Sequence, residues 1–355
     1  MEVYPAARTA VENSFAKAFY QLRKNAHKYF GARCVLSIDP VSLIHGRHSD
    51  ILKVRVTFKV GSLNICMKRV KISGEGRERR QHLEKRIENE YTAATMIYEL
   101  FKERSQDYNS VKPIVCFPTD FTLIMEECPG ESFMRLMSTG ARFWPALGRR
   151  KALNRYCYLS GKWLKIFQES TIKGGVLLDP GELVQYIDIR LQRLVARSAI
   201  PFSEKMRSRI LTFVEAKMRQ VPAVDLAISG VTGDFVPANV LVHRHRVAVL
   251  DFGMFNYGSI FQDLAQYYQH IDFFRHKPIY SPAVISELQE AFLRGYDPDF
   301  DKKRTLFRVF RIRAIVNRLS ATTVRKWATL PLHVRLFNRW AFRLQLDELG
   351  RLCAK

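Results

Sequence analysis

The sequence predicts an α+β protein in two unlike parts: a small β-rich N-terminal lobe with one main helix, and a larger helical lobe that holds a β-hairpin. Three observations lead there. The segment ILKVRVTFKV alternates from Leu52 through Val54, Val56, Phe58 and Val60 with Lys and Arg between, the period of a half-exposed strand. Residues 77–101 contain neither Gly nor Pro, and Ile87, Tyr91, Ala94 and Tyr98 recur at helical spacing. Past Pro129-Gly130 the pattern is helical except for NVLVHRHRVAVLDFG, two short apolar runs around a polar turn.

The elements follow in order. Residues 6–30 read as an amphipathic helix with Phe15, Phe19 and Leu22 on one face and Gly31 as its stop. CVLSI is a short apolar strand. ILKVRVTFKV and LNICMKRVK form a hairpin across Gly61-Ser62. After the long helix, VKPIVCFPTDFTLIMEE gives two strands turning at Pro118-Thr119-Asp120. The composition shift and the Pro129-Gly130 break divide the chain into residues 1–127 and 128–355. Helices are expected at 152–169, 183–197 and 204–219, and again from Gln262 onward. There is no internal repeat and no low-complexity segment.

Composition narrows the function classes. A chain of 355 residues with 47% hydrophobic side chains is globular, not disordered. No run of about 18 uncharged apolar residues suggests a membrane span. The start, MEVYPAARTAVENSF, carries Glu2 and Glu12 and no apolar core, so it does not read as a secretory signal, and a cytoplasmic protein is expected. The six cysteines are scattered without a C-x-x-C pair, which suggests free thiols instead of zinc or disulfides. Lys and Arg number 57 against 34 acids, a net +23. That field attracts anions and repels polycationic substrates.

The chemistry concentrates in one stretch. Asp234 and Asn239 lie five apart on a polar loop that leads into an apolar strand, and Asp251 ends the partner strand before Phe252-Gly253. A hairpin sets its strand ends side by side, so Asn239 and Asp251 can share one cation. Oxygen donors of this kind suit Mg²⁺ with water and phosphate completing its shell. Asp234, outside that shell, can take a proton from a hydroxyl. A base, a metal pair and phosphates together describe phosphoryl transfer. On its own the same loop reads as a turn with polar caps.

The pattern D-x-x-x-x-N followed by D-F-G resembles the protein-kinase-like fold. The form Gly-Asp-Phe-x-Pro-x-Asn-Val-Leu-Val is similar to the aminoglycoside/choline phosphotransferase branch, with Thr232 where that branch usually has His. The resemblance spans roughly residues 40–270. It implies Asp234 as base, Asn239 and Asp251 as Mg²⁺ ligands, and ATP as phosphate donor. It assigns Lys68 in Cys66-Met67-Lys68-Arg69-Val70 to the phosphates, with Lys71 and Arg69 as neighbours that could leave it on a solvated face. It asks for a helix acid to pair Lys68: Glu90, with Glu88 and Glu84 as rivals. Leu123–Ser132 looks like the family's hinge, whose backbone around Glu126, Glu127 and Cys128 would hold adenine. Asp263-Leu264-Ala265 resembles the D-L-A whose Asp braces the catalytic loop, although an acid there also reads as a helix cap. The phosphate loop has a single glycine, Gly46, with Ser49 beside it; His45 and His48 read as polar loop groups.

The expected acceptor is a hydroxyl on a small molecule, saccharide or lipid-linked compound, anionic or near an acidic membrane surface at its inner face. Residues 302–355 hold fourteen Lys and Arg against Asp347 and Glu348. Phe307, Phe310, Ala314 and Leu319 alternate with Arg308, Arg311, Arg313 and Arg318, a basic amphipathic pattern that fits such a surface. Arg142, Arg149, Arg150, Lys151 and Arg155 form a second basic cluster. A kinase-like protein without activity, binding nucleic acid through its basic face, is the alternative, and the glycine-poor loop keeps it open. A protein kinase fits poorly, because D-L-A follows D-F-G too closely for a peptide-docking segment.

Overall fold

The computed structural model describes residues 14–46, 48–72, 76–103, 107–143, 147–323, 327 and 330–354. Residues 6–13 of the first expected helix, and Arg47 of the expected phosphate loop, lie outside them. Contacts divide the chain into two compact units: residues 1–131 with 239–255, and residues 132–238 with 256–355.

The first unit is built on a five-stranded antiparallel sheet. Its strands are β1 (Val35–His45), β2 (Ser49–Phe58), β3 (Ser62–Val70), β5 (Pro113–Phe117) and β6 (Thr122–Glu126), in the order β1-β2-β3-β6-β5. The alternation in β2 sets the inner face: Leu52, Val54, Val56 and Phe58 are buried. Ile65 and Met67 of β3 and Ile124 of β6 extend it. Phe19 and Leu22 of α1 (Ala16–Lys24) and Phe30 of α2 (Ala26–Phe30) cover it, with Phe30 edge-on to Phe58 at 5.7 Å between centroids. β1 is longer than CVLSI suggests. Pro40 lies within it beside a register shift, which the sheet tolerates because β1 is an edge strand.

Helix α3 (Arg77–Lys102) buries Ile87, Glu90, Ala93, Ala94, Ile97 and Phe101. One acid therefore sits in an otherwise apolar stripe. The short strand β4 (Tyr108–Ser110) pairs in parallel with β10 (Arg246–Val249), which is hairpinned to β9 (Val240–His243). This ladder explains why the hairpin, expected within the helical lobe, groups with the first unit. Its turn residues, Arg244 and His245, both have positive φ, 43° and 75°, as a two-residue hairpin loop requires.

The second unit is helical. It contains α4 (Phe133–Gly140), α5 (Leu147–Ser170), α6 (Pro180–Arg197), α7 (Glu204–Met218), α8 (Phe261–Asp272), α9 (Pro282–Tyr296), α10 (Thr305–Thr323) and α11 (Leu332–Leu352). Helix starts follow local chemistry: Ser203 and Ser281 accept from Met206 and Val284 N–H, and Pro282 opens α9. The unit also holds three strands that the sequence pattern did not show: β7 (Lys173–Leu177), β8 (Ala227–Val231) and β11 (Asn256–Ser259), in an antiparallel sheet ordered β11-β8-β7. An aromatic stack centres the core. Trp163 lies 5.6 Å from Phe235, Phe235 4.9 Å from Tyr267, and Tyr267 4.3 Å from Phe292.

Helix α10 corrects one expectation. It packs against α6, α7, α8 and α11. Phe307, Phe310 and Leu319 are core residues. Its arginines turn to internal partners: Arg308 to the Leu352 carbonyl, Arg311 to Glu348, Arg313 to the Tyr186 ring and Arg318 to the Phe273 ring. The alternation is that of a buried helix with long side chains reaching its neighbours, not of a membrane-facing one. Among the described residues no helix is long and apolar enough to cross a membrane.

Helices α5 and α9 touch through two glycines. A Cβ on Gly161 would overlap the Phe292 carbonyl, and one on Gly295 the Tyr158 carbonyl. Both obstacles are backbone, so neither can step aside cheaply. Gly295→Ala should therefore destabilise the protein by about 3 kcal/mol, read as a lower urea midpoint at unchanged slope. An unaltered midpoint would show that the helices slide apart freely.

Candidate active site

In the first unit the candidate groups meet at Lys68. Strand β3 lies between β2 and β6, where Lys68 sits opposite Ile51 and Leu123. Its Nζ donates to Glu90 Oε1 at 2.6 Å and to Asp251 Oδ1 at 3.0 Å. The Lys68 and Glu90 side chains are 12% and 3% exposed, and Asp251 is 35% exposed. Glu84 and Glu88 lie off the buried stripe, half-buried and exposed respectively, and make no ion pair with Lys68. Burial acts to lower the Lys68 pKa, but the two carboxylates outweigh it and hold the ammonium above its ordinary value. Burial and the nearby Asp251 charge push Glu90 up against the pull of Lys68. Burial also acts to raise Asp251, yet Lys68 and then Arg86 keep it below the usual carboxylate value.

Two details mark this spot as demanding. Asp251 has φ 64°, the left-handed region that a non-glycine residue adopts at a cost. A Cβ on Gly253 would lie 3.1 Å from both Arg86 Nε and Glu90 Oε2, so glycine leaves room for these two groups. Both atoms are buried without a hydrogen-bond partner. Asn239 holds the other end of the hairpin: its carbonyl accepts from Leu250 N–H at 2.9 Å.

The expected phosphate loop is the turn between β1 and β2. Gly46 N–H donates to the Ser49 carbonyl at 2.9 Å, and a Cβ on Gly46 would come 2.5 Å from that oxygen. Gly46 thus shapes the turn, and its donor is spent inside it. Lys71 braces the turn through the Gly46 carbonyl and Asp50, at 2.8 and 3.0 Å, and His45 Nδ1 lies 3.0 Å from the same carboxylate. His45 is therefore engaged in the loop.

At residues 126–128 the Glu126 and Glu127 N–H groups donate to the Lys112 and Asn64 carbonyls, both at 2.9 Å. Their side chains pair with Lys112 and Lys53. Among the described residues the Cys128 N–H is left without a partner in this connection.

In the second unit the loop before β9 is fixed from two sides. Phe235 is fully buried in the aromatic stack, directly after Asp234. Asp263, in the first turn of α8, accepts from Thr232 N–H at 2.6 Å and Gly233 N–H at 3.3 Å. It braces the loop and does not cap its own helix. Thr232 thus takes part through its backbone, which is available whatever its side chain. Gly233 has φ 78°, which turns the chain so that Asp234 is exposed between two anchored neighbours. Gln266, one turn along α8 from Asp263, donates to Asp234 Oδ1 at 3.3 Å. Sequence reading did not select Gln266; its spacing of three from Asp263 was the available signal.

A lysine locked to a helix acid, with an Asp-Phe-Gly turn beside it, on a kinase-like fold fits the class of phosphotransferases. The chain belongs to the phosphotransferase enzyme family, which matches residues 123–306. Its fold is similar to a thermostable variant of the aminoglycoside phosphotransferase APH(4)-Ia solved with ADP and hygromycin B. That match has a TM-score of 0.58 at 15% identity and covers 94% of this chain and 99% of that one. A choline/ethanolamine kinase family protein from Mesorhizobium loti has a TM-score of 0.57 at 13% identity, covering 96% and 98%. Plasmodium vivax ethanolamine kinase has a TM-score of 0.51 at 12% identity, covering 88% and 83%. No curated protein matches the chain in sequence.

Asp263 gives a pH test. Burial pushes its carboxyl up to about 6, against the pull of the Thr232 and Gly233 donors. The folded protein thus keeps this proton to higher pH than the unfolded chain, and stability falls as pH rises from about 4 to about 6. A shift of this size is worth about 3 kcal/mol. The stability difference between the native protein and Asp263→Asn should shrink by that order across the window and stay level above it, as measured by urea unfolding. A difference independent of pH would show that Asp263 titrates normally.

Proposed function

We propose that the protein transfers the γ-phosphate of ATP, with Mg²⁺, to a hydroxyl of a small-molecule, saccharide or lipid-linked acceptor. The observation that carries this reading is Lys68 held by Glu90 and Asp251 at 2.6 and 3.0 Å. An ammonium fixed this way is a pre-oriented charge for triphosphate oxygens and needs no reorganisation when they arrive. The Ser49 hydroxyl and the Lys68 ammonium are the phosphate donors of this reading, with Gly46 setting the turn. The Cys128 N–H, with the Glu126 and Glu127 backbone around it, is the donor for the adenine edge.

Asn239 and Asp251 would hold Mg²⁺. Among the described residues no group of three or more His, Cys, Asp or Glu could hold a metal ion. Two oxygen donors are a poor site for zinc but suit Mg²⁺, which fills its shell with water and substrate phosphate. Asp251 is part-exposed and kept ionised by Lys68, as such a ligand must be. When bound, the ion would neutralise the charge that develops on the phosphates.

Asp234 is the base. Its carboxylate accepts the acceptor's hydroxyl proton as that oxygen bonds to the γ-phosphorus and the bond to the bridging oxygen breaks, releasing ADP. Gln266 orients the carboxylate. The named ligands of the similar folds, hygromycin B among them, support a hydroxyl-bearing acceptor of modest size.

Asp234→Ala should lower kcat by about 10²–10⁴-fold while ATP still binds. Normal turnover would remove the base assignment. Asp251→Ala should bind nucleotide no more tightly with Mg²⁺ than without it, by calorimetric titration. A preserved Mg²⁺ dependence would take the metal role from Asp251.

A further inference from the structure

The second unit carries a group of cations that the transfer step does not use. Helix α8 leads to it. Gln266 touches Asp234, and His270 lies one turn further along the same face, about 6 Å along the axis. The chain then passes through the turn at Phe273–His276 to Lys277. Arg318 of α10 lies over the Phe273 ring, 3.1 Å from its centroid. Lys277 Nζ sits 6.0, 5.1 and 5.8 Å from the ring centroids of Phe273, Phe274 and Tyr280.

These cations lack counter-charges. Among the described residues neither Arg318 nor Lys277 makes an ion pair, and Arg318 Nε is buried without a hydrogen-bond partner. The nearby acids are engaged elsewhere. Asp272 accepts from Arg275, Gln269 and Gln289, and Glu348 pairs with Arg311 and Arg351. Arg318, Lys277 and His270 are half-buried, so they are shielded from bulk water yet reachable. Burial pulls Arg318 down to about 10. Burial, then the Arg318 charge, lowers Lys277 and takes His270 to about 3. Stacking on rings offsets only part of the cost of holding two like charges together away from water.

We propose that Arg318, Lys277 and His270 form an anion subsite that receives a phosphate group on the acceptor, beside the hydroxyl engaged by Asp234. This rests on the phosphotransfer reading of Asp234. A phosphate oxygen accepts from the half-buried Arg318 guanidinium, and its charge cancels the repulsion between Arg318 and Lys277. The acceptor is then a hydroxyl compound with its own phosphate, either free or as a lipid headgroup.

The test uses the full chain and two matched pairs of probes. Calorimetry without nucleotide compares glycerol 1-phosphate with glycerol. Co-sedimentation compares phosphatidylglycerol with phosphatidylcholine vesicles. The native protein should prefer the anionic member of at least one pair by tenfold or more, and which pair responds identifies the free or the lipid-borne phosphate. Lys277→Gln, in a part-exposed turn, should lose roughly tenfold of that preference, and Arg318→Gln more. Arg318→Lys should recover part of it. Arg339→Gln, an equal charge loss on the exposed face of α11, should lose none. No preference in the native protein, or a preference that all four variants keep, overturns the subsite. Mg·ATP binding measured without acceptor is read separately; its absence overturns the phosphotransfer reading and with it the acceptor role of the subsite.

Discussion

The first unit is organised around the cost of burying one ammonium. Lys68 emerges from a central strand into a space almost closed to water, where a lone cation would be untenable. Two carboxylates answer it, one from α3 and one from the end of the β9–β10 hairpin. Strand, helix and hairpin are thereby tied at a single point. Of the two, Glu90 is enclosed and Asp251 is the member that water can reach. Arg86 adds a second positive charge that acts on both carboxylates.

The second unit solves a different problem: keeping an exposed carboxylate still. The neighbours of Asp234 in the chain supply constraints. Phe235 is locked in the aromatic stack, and the two preceding amides are gripped by Asp263. Burial holds Asp263 partly in its neutral form near pH 6, whereas Asp234 stays in contact with solvent. Two acids within one loop region are thus separated by environment: one is buried and holds the loop, the other is exposed.

What could be read from the sequence was whatever rested on local periodicity. The β2 alternation named its own buried face, and the gap-free run of α3 named a long helix. The sequence left Glu84 and Glu88 as rivals of Glu90; the folded helix separates them, because Glu90 lies in the buried stripe with Ile87, Ala94 and Ile97. Failures came where a long-range partner decided the outcome. β7 contains Gly174-Gly175 and is exposed along its length, so nothing local marks it as a strand; its pairing with β8 does. β1 contains Pro40, a local break signal that an edge position overrides. Along the chain, Gly46 looked like a phosphate donor, but its N–H is committed to Ser49 across the turn.

Net charge misled for a related reason. A count of +23 does not say where the uncompensated cations sit. Several arginines are internal fittings: Arg304 pairs with Asp225, Arg311 with Glu348, and Arg313 covers a tyrosine. The two ion pairs already cancel within the net charge, and the stacked arginine keeps its own. Information about ligands lies in the cations that remain uncompensated after this subtraction. Arg318 and Lys277 are two such cations: Lys277 follows the turn after Gln266 and His270, and Arg318 reaches the Phe273 ring of that turn from α10. A buried positive charge that the fold leaves unanswered costs stability in the free protein, and that cost is recovered when an anion arrives. In the proposed reading, selection for an anionic acceptor therefore rests on these two placed side chains more than on the total charge.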